Sequence, residues 1–191
     1  MQLSGREVIE AALAEVGEIL ALQGSSCSIV VLGGAALNLH GIVDRPTIDV
    51  DVLAQEQEGR LVPPDPLPNS LQSAIVAIAR SRGLLDHWMN TAVAGQWRVG
   101  LPPGLAERVA WRTYGGLRVG LVGRRDLIFF KLYASADQTG PDDVHVRDLL
   151  ALRPTASDLE DAAEWVRSQD PSPGFQEVLA KVVSYVDGAL R

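Results

Sequence analysis

Asp49 and Asp51 stand two residues apart in an apolar run, downstream of a glycine pair, Gly33 and Gly34, in the stretch IVVLGGAALNLHGIVDRPTIDVDVLA. Side chains at i and i+2 leave the same face of a strand, so two such carboxylates converge on one spot. That spot suits a divalent cation. Magnesium takes hard oxygen ligands, commonly one or two carboxylates together with the phosphates of a substrate. A glycine pair between a strand and a helix lets the backbone approach a ligand, and the N–H groups at a helix start attract phosphate. Taken alone the pair also reads as a plain tight turn. Glycines and aspartates together imply metal-assisted nucleotide chemistry.

The elements that must position these groups follow from the pattern around them. Ser4 with Glu7 three places on resembles a capping box, and Val8, Ala11, Leu13, Val16, Ile19 and Leu20 give residues 4–22 an apolar helical face. Residues 28–32 read as a β-branched strand ending at the glycine pair, and AALNLHG as a short helix closed by Gly41. A second strand is expected to begin after Pro46, at about Thr47, which puts Asp49 and Asp51 in mid-strand. Residues 55–68, rich in Gln, Glu, Gly and Pro, read as a loop. Asn69 is a candidate cap for a helix running to Arg82, LLDHWMNTAV a turn with a short helix, WRVGL a strand, and AWRTY/LRVGLV a hairpin about Gly115 and Gly116. From Arg124 onward, four helical segments are separated by Gly140-Pro141, Pro154 and Pro171 with Pro173.

Composition bounds the class. A chain of 191 residues can hold a full core with a smaller helical part, here expected as residues 1–123 and 124–191. Apolar residues make up 47% of it, and no apolar run reaches the ~18 residues of a membrane span, so a soluble, cytoplasmic protein is expected. The lone Cys27 rules out an internal disulfide and reads as a buried small residue. A net charge of −7 disfavours a broad nucleic-acid footprint, although a local basic site remains compatible with it. The three histidines show no zinc-ligand spacing.

The segment GGAALNLHG, followed by Arg45, Thr47 and DVD, resembles the nucleotidyltransferase superfamily that includes DNA polymerase beta and the minimal nucleotidyltransferases. It is most similar to small bacterial proteins of the AbiEii toxin type with a GGxAlxxHGxxRxTxDiD pattern. DLIFFKL with Lys131, and DDVHVRDLLAL with Arg147 and Asp148, resemble the helical half of those proteins. The resemblance implies an α/β (α+β) fold with a mixed sheet flanked by helices and a C-terminal helical portion. It further implies that Gly33, Gly34, Arg45, Thr47, Lys131 and Asp148 bind the nucleotide, and that Asp49 and Asp51 hold Mg2+ or Mn2+. Asp49, Asp51 and Lys131 would then be the catalytic group. The reaction implied is transfer of a nucleoside monophosphate from a nucleoside triphosphate to a hydroxyl on RNA or protein, with a cognate antitoxin as a possible partner and no membrane.

In those families a third carboxylate comes from a later strand, whereas here residues 97–101 and 117–122 contain no acid. Asn90 stands near that place, with Asp143 and Asp148 as reserves, so a nucleotide- or partner-binding module without turnover is the alternative. A dinucleotide-binding oxidoreductase is disfavoured, because GGAAL lacks the GxGxxG spacing. Each remaining candidate has a purely structural reading beside the functional one. Arg45 would pair with Asp44 or Asp49, Lys131 would extend to solvent, His40 would cap its helix and His145 would lie on a helix surface. The four tryptophans read as packing rather than a base-stacking array.

Overall fold

The computed structural model describes residues 3–137 and 144–191, so Asp143 lies outside the described residues. The chain has a mixed α/β fold and divides into two compact units, Met1–Val122 and Gly123–Arg191. In the first unit β1 (Leu3–Ser4), α1 (Arg6–Leu22), β2 (Cys27–Leu32), α2 (Gly33–Leu39), β3 (Pro46–Thr47) and β4 (Val50–Gln57) lead to β5 (Arg60–Val62) and α3 (Asn69–Arg82). β6 (Met89–Asn90), α4 (Gln96–Val99), β7 (Ala110–Tyr114) and β8 (Leu117–Leu121) complete it.

The main sheet runs β5-β4-β2-β8-β7, with β6 joined in parallel to the start of β4. β2 is central, antiparallel to β4 and parallel to β8. Ile29 and Val31 of β2, Val50 and Val52 of β4, and Leu117, Val119 and Leu121 of β8 pack with Ile9, Leu13, Val16 and Leu20 of α1 and with Leu71, Ile75 and Ile78 of α3. Each such buried aliphatic side chain contributes about 1.5–3 kcal/mol. One helical glycine has a packing reason. A Cβ on Gly17 would run into Tyr114 O, and Gly17 O accepts the Gly116 N–H at 2.9 Å, so α1 seats directly on the β7–β8 turn.

The second unit is helical: α5 (Arg124–Asp137), α6 (Val144–Ala151), α7 (Ala156–Gln169) and α8 (Pro173–Leu190). Trp165 of α7 lies with its ring 5.7 Å from Phe129 and 5.8 Å from Phe130, both on α5. Thr155 and Asp158 form a reciprocal capping box that starts α7. Among the described residues no helix is long and apolar enough to cross a membrane.

Several local expectations are corrected by tertiary pairing. Ser4 does not cap α1. It sits in β1 opposite Pro46, and the helix begins behind Gly5 without a side-chain cap bond. The strand expected from Thr47 is two pieces, because Pro46–Thr47 pairs with β1 and β4 starts only at Val50, leaving Asp49 just ahead of it. The stretch expected as a loop from residue 55 instead carries the end of β4 and all of β5, joined by the two residues Glu58 and Gly59, both with positive φ. Asn69 is the first helical residue of α3 behind Pro68, with no side-chain cap bond. WRVGL is not a strand: residues 96–99 form α4.

Candidate active site

Gly33 takes φ +75°, a conformation that L side chains rarely adopt. A Cβ there would collide with Asp51 Oδ2 and lie 3.5 Å from its Cγ, so the missing side chain is the space the carboxylate fills. The approach is set by the sheet, where Asp51 is the register partner of Leu32. Gly34 is seated the same way. Its Cβ would fall 2.8 Å from Thr47 Oγ1 and 3.5 Å from Arg45 Nη2. The glycine pair, Arg45, Thr47 and Asp51, spread over 19 positions of chain from Gly33 to Asp51, therefore meet at one turn.

Asn38 ties that turn together, and sequence reading missed it. Its side chain is fully buried, Nδ2 donates to Gly34 O at 2.9 Å, and Oδ1 accepts Arg45 N–H at 3.2 Å. A buried amide with both ends satisfied fixes the geometry between the glycine turn and the Arg45–Thr47 segment. The only signal in the sequence was a polar residue in an otherwise apolar short helix. At the far end of α2, Arg112 donates to Leu39 O at 2.8 Å and to Glu10 at 2.7 Å. His40 caps α2, with Nε2 3.0 Å from Val122 O. Arg45 Nη1 donates to Pro46 O at 3.2 Å.

Asp49 and Asp51 are half-buried, whereas Val50 and Val52 between and beyond them are fully buried in the core. Asp49 Oδ2 accepts a hydrogen bond from Asn90 Nδ2 at 3.0 Å, and Thr47 Oγ1 donates to Asp49 O at 3.3 Å. Just past the aspartates a β-bulge shifts the β2–β4 register between Val30 and Val31, leaving Leu53 as the extra residue. Its carbonyl accepts the Trp97 Nε1–H at 2.6 Å. The Asp51 carboxylate against Gly33, and the half-buried Asp49 two residues before it, are hard oxygen donors of the kind that magnesium or manganese takes. No cluster of three or more His, Cys, Asp or Glu side chains with metal-binding geometry occurs among the described residues.

Lys131 and Asp148 are placed in the helical unit. Lys131 Nζ, on α5, lies 2.7 Å from Asp148 Oδ2 on α6 and 3.4 Å from His145 Nδ1. Lys131 is 5% exposed and Asp148 1%, so the lysine does not extend to solvent, and His145 is half-buried. A buried ammonium requires a counter-charge, and Asp148 supplies it. Arg147 is exposed. Cys27 is half-buried and its thiol is pushed up to about 11 by burial, which keeps it protonated and unreactive at neutral pH.

The tryptophans divide among several packing tasks. Trp88 is fully buried, with Nε1 donating to Ile75 O, and Trp111 lies under the Arg118 guanidinium at 4.0 Å. Trp97 and Trp165 are engaged as described above.

The class of the chain, that of the nucleotidyltransferases, is given by the protein family that it matches. Residues 10–152 match the family described as nucleotidyltransferase of unknown function (DUF6036), and the chain belongs to that family. The matched span includes all of Gly33, Gly34, Arg45, Thr47, Asp49, Asp51, Lys131 and Asp148. No curated protein and no solved structure matches the chain. Nucleotidyl transfer is accordingly its general role.

Proposed function

We propose that the protein transfers a nucleoside monophosphate from a nucleoside triphosphate, bound with Mg2+ or Mn2+, to a hydroxyl on RNA or protein. The observation that carries this reading is the seating of the Asp51 carboxylate against the Cα of Gly33, with Asp49 two residues before it. Asp49 and Asp51 would hold the cation, which when bound neutralises the triphosphate and favours attack by the acceptor hydroxyl. Gly33 and Gly34 offer a backbone surface without side chains for the phosphates. Arg45 supplies a guanidinium at the same turn, and Thr47 braces both the turn and Asp49. Phosphoryl and nucleotidyl transfer depend on positioning and charge stabilisation more than on covalent chemistry by the protein, and these residues supply the first of these directly. Lys131 and Asp148, an ion pair within the helical unit, enter the proposal as further nucleotide-binding residues.

A cytoplasmic protein of bacterial toxin–antitoxin type, related to the AbiEii toxins and held by a cognate antitoxin, is the biological setting we propose. A second reading is a nucleotide- or partner-binding module of the same fold, favoured by the amide of Asn90 where a further carboxylate would complete the site. Purified protein incubated with each labelled nucleoside triphosphate, magnesium and a cell RNA or protein extract separates the two. Label transfer that Asp49→Asn with Asp51→Asn reduces to background supports the enzyme. Metal-dependent binding without transfer supports the module, and transfer that survives the double substitution rules out the site.

A further inference from the structure

A cation held by two aspartates requires their carboxylates to be oriented before it arrives, and the neutral side chain of Asn90 donates a hydrogen bond to one of them, Asp49. Asn90 ends β6, where it is the register partner of Asp51. Both ends of its amide are committed. Oδ1 accepts the Ala92 N–H at 2.8 Å, while Nδ2 donates to His87 O at 3.3 Å and to Asp49 Oδ2 at 3.0 Å. The Ala92 bond decides which way the amide faces. Flipped, it would set N–H against a backbone N–H and oxygen against a carboxylate oxygen, two mismatches at once.

We propose that Asn90 is the positioning residue of the cation site: it holds Oδ2 of Asp49 in a charge-assisted hydrogen bond and leaves Oδ1 of that carboxylate for the cation. The inference rests on the reading of Asp49 as a cation ligand. Polarity, rather than shape, makes the assignment specific. Asn90→Asp has the same outline and keeps an oxygen toward Ala92 N–H, yet it replaces the donor facing Asp49 with a second carboxylate oxygen. Two anionic oxygens at that separation repel each other without a cation and become an additional ligand pair with one. The amide therefore keeps the site assembled when no cation is bound, at the cost of one potential ligand.

The test uses the full chain, Mn2+ as the probe, electron paramagnetic resonance to separate bound from free ion, and thermal melting with and without Mn2+. Asn90→Ala is expected to bind Mn2+ about 10- to 100-fold more weakly, the usual effect of removing a hydrogen-bonded partner behind a metal ligand. N90D should melt below wild type without cation and gain more from Mn2+ than wild type does. Combining D49N with N90D restores a donor–acceptor pair of reversed polarity at the Asp49 contact, while the bond to His87 O stays lost, and should return the cation-free melting temperature part of the way from N90D toward wild type, an effect no packing role produces. If N90A fails to fold, the N90D and swap arms decide. Mn2+ affinity unchanged in N90A, or an N90D protein as stable as wild type without cation, overturns the role of Asn90. If D49N with D51N abolishes Mn2+ binding while N90A keeps it, Asn90 alone is wrong. If wild type binds no Mn2+ with or without nucleoside triphosphate, the cation reading falls and this inference with it.

Discussion

Gly33→Ala is the perturbation that the site geometry makes most quantitative, because two separate costs arise at one position and a neighbouring glycine isolates one of them. Gly33 and Gly41 both have left-handed φ, +75° and +72°, but a Cβ on Gly41 meets nothing within 4 Å, whereas on Gly33 it collides with Asp51. An alanine held in the left-handed region costs about 1–2 kcal/mol at either position. At Gly33 the Asp51 carboxylate must also leave its rotamer, which adds about 0.5–1.5 kcal/mol. Urea denaturation should therefore rank Gly33→Ala below Gly41→Ala by about 1 kcal/mol. In an Asp51→Ala background the carboxylate is absent, so Gly33→Ala should cost only the backbone part, a coupling of about 1 kcal/mol between the two positions. Calorimetry should show that Gly33→Ala loses magnesium-dependent nucleoside triphosphate binding while Gly41→Ala keeps it. Equal costs at Gly33 and Gly41, the same in both Asp51 backgrounds and with equal nucleotide binding, would refute the reasoning and reduce Gly33 to a turn.

Three further outcomes are expected. Asn38→Ala should destabilise the first unit by about 1–2 kcal/mol, since it takes a buried side chain's bonds from the half-buried Gly34 O and Arg45 N–H, and urea denaturation reads it. Lys131→Met or Asp148→Leu alone should each cost about 3–5 kcal/mol by removing the counter-charge from a buried ion, with the double substitution costing less than the sum; retained transfer activity in that double variant would remove Lys131 from the chemistry. Arg82 holds the Glu15 carboxyl below its ordinary value through a two-pronged bond of 2.9 and 2.6 Å. That depressed value makes the pair's contribution fully present above the ordinary carboxyl range and lost as pH falls through the lowered value. With Glu15 40% exposed the effect stays below about 1 kcal/mol, and Arg82→Met should flatten the acid limb of a stability-versus-pH curve by that amount.

What the sequence by itself determined is local. The glycine pair after a β-branched run, the Gly115-Gly116 hairpin and the four C-terminal helices follow from alternation, helical period and glycine punctuation within a few residues, whereas the mid-strand place expected for Asp49 does not hold, because β4 starts at Val50. Expectations failed where a distant partner set the outcome. Thr47 left β4 because β1 pairs with it and with Pro46, and residues 55–62 became a hairpin because the edge of β4 offered a ladder that composition does not reveal. The site shows the same division. Residue types along 33–51 were legible, but the seating of Asp51 against Gly33 depends on the β2–β4 register, and Asn90 reaches Asp49 across 41 residues through a two-residue parallel strand. Lys131 was legible as a cation in an apolar helix. Only the packing of α5 against α6 decided that its counter-charge is Asp148, because burial, which makes a partner obligatory, is a property of the assembled helices and not of the segment.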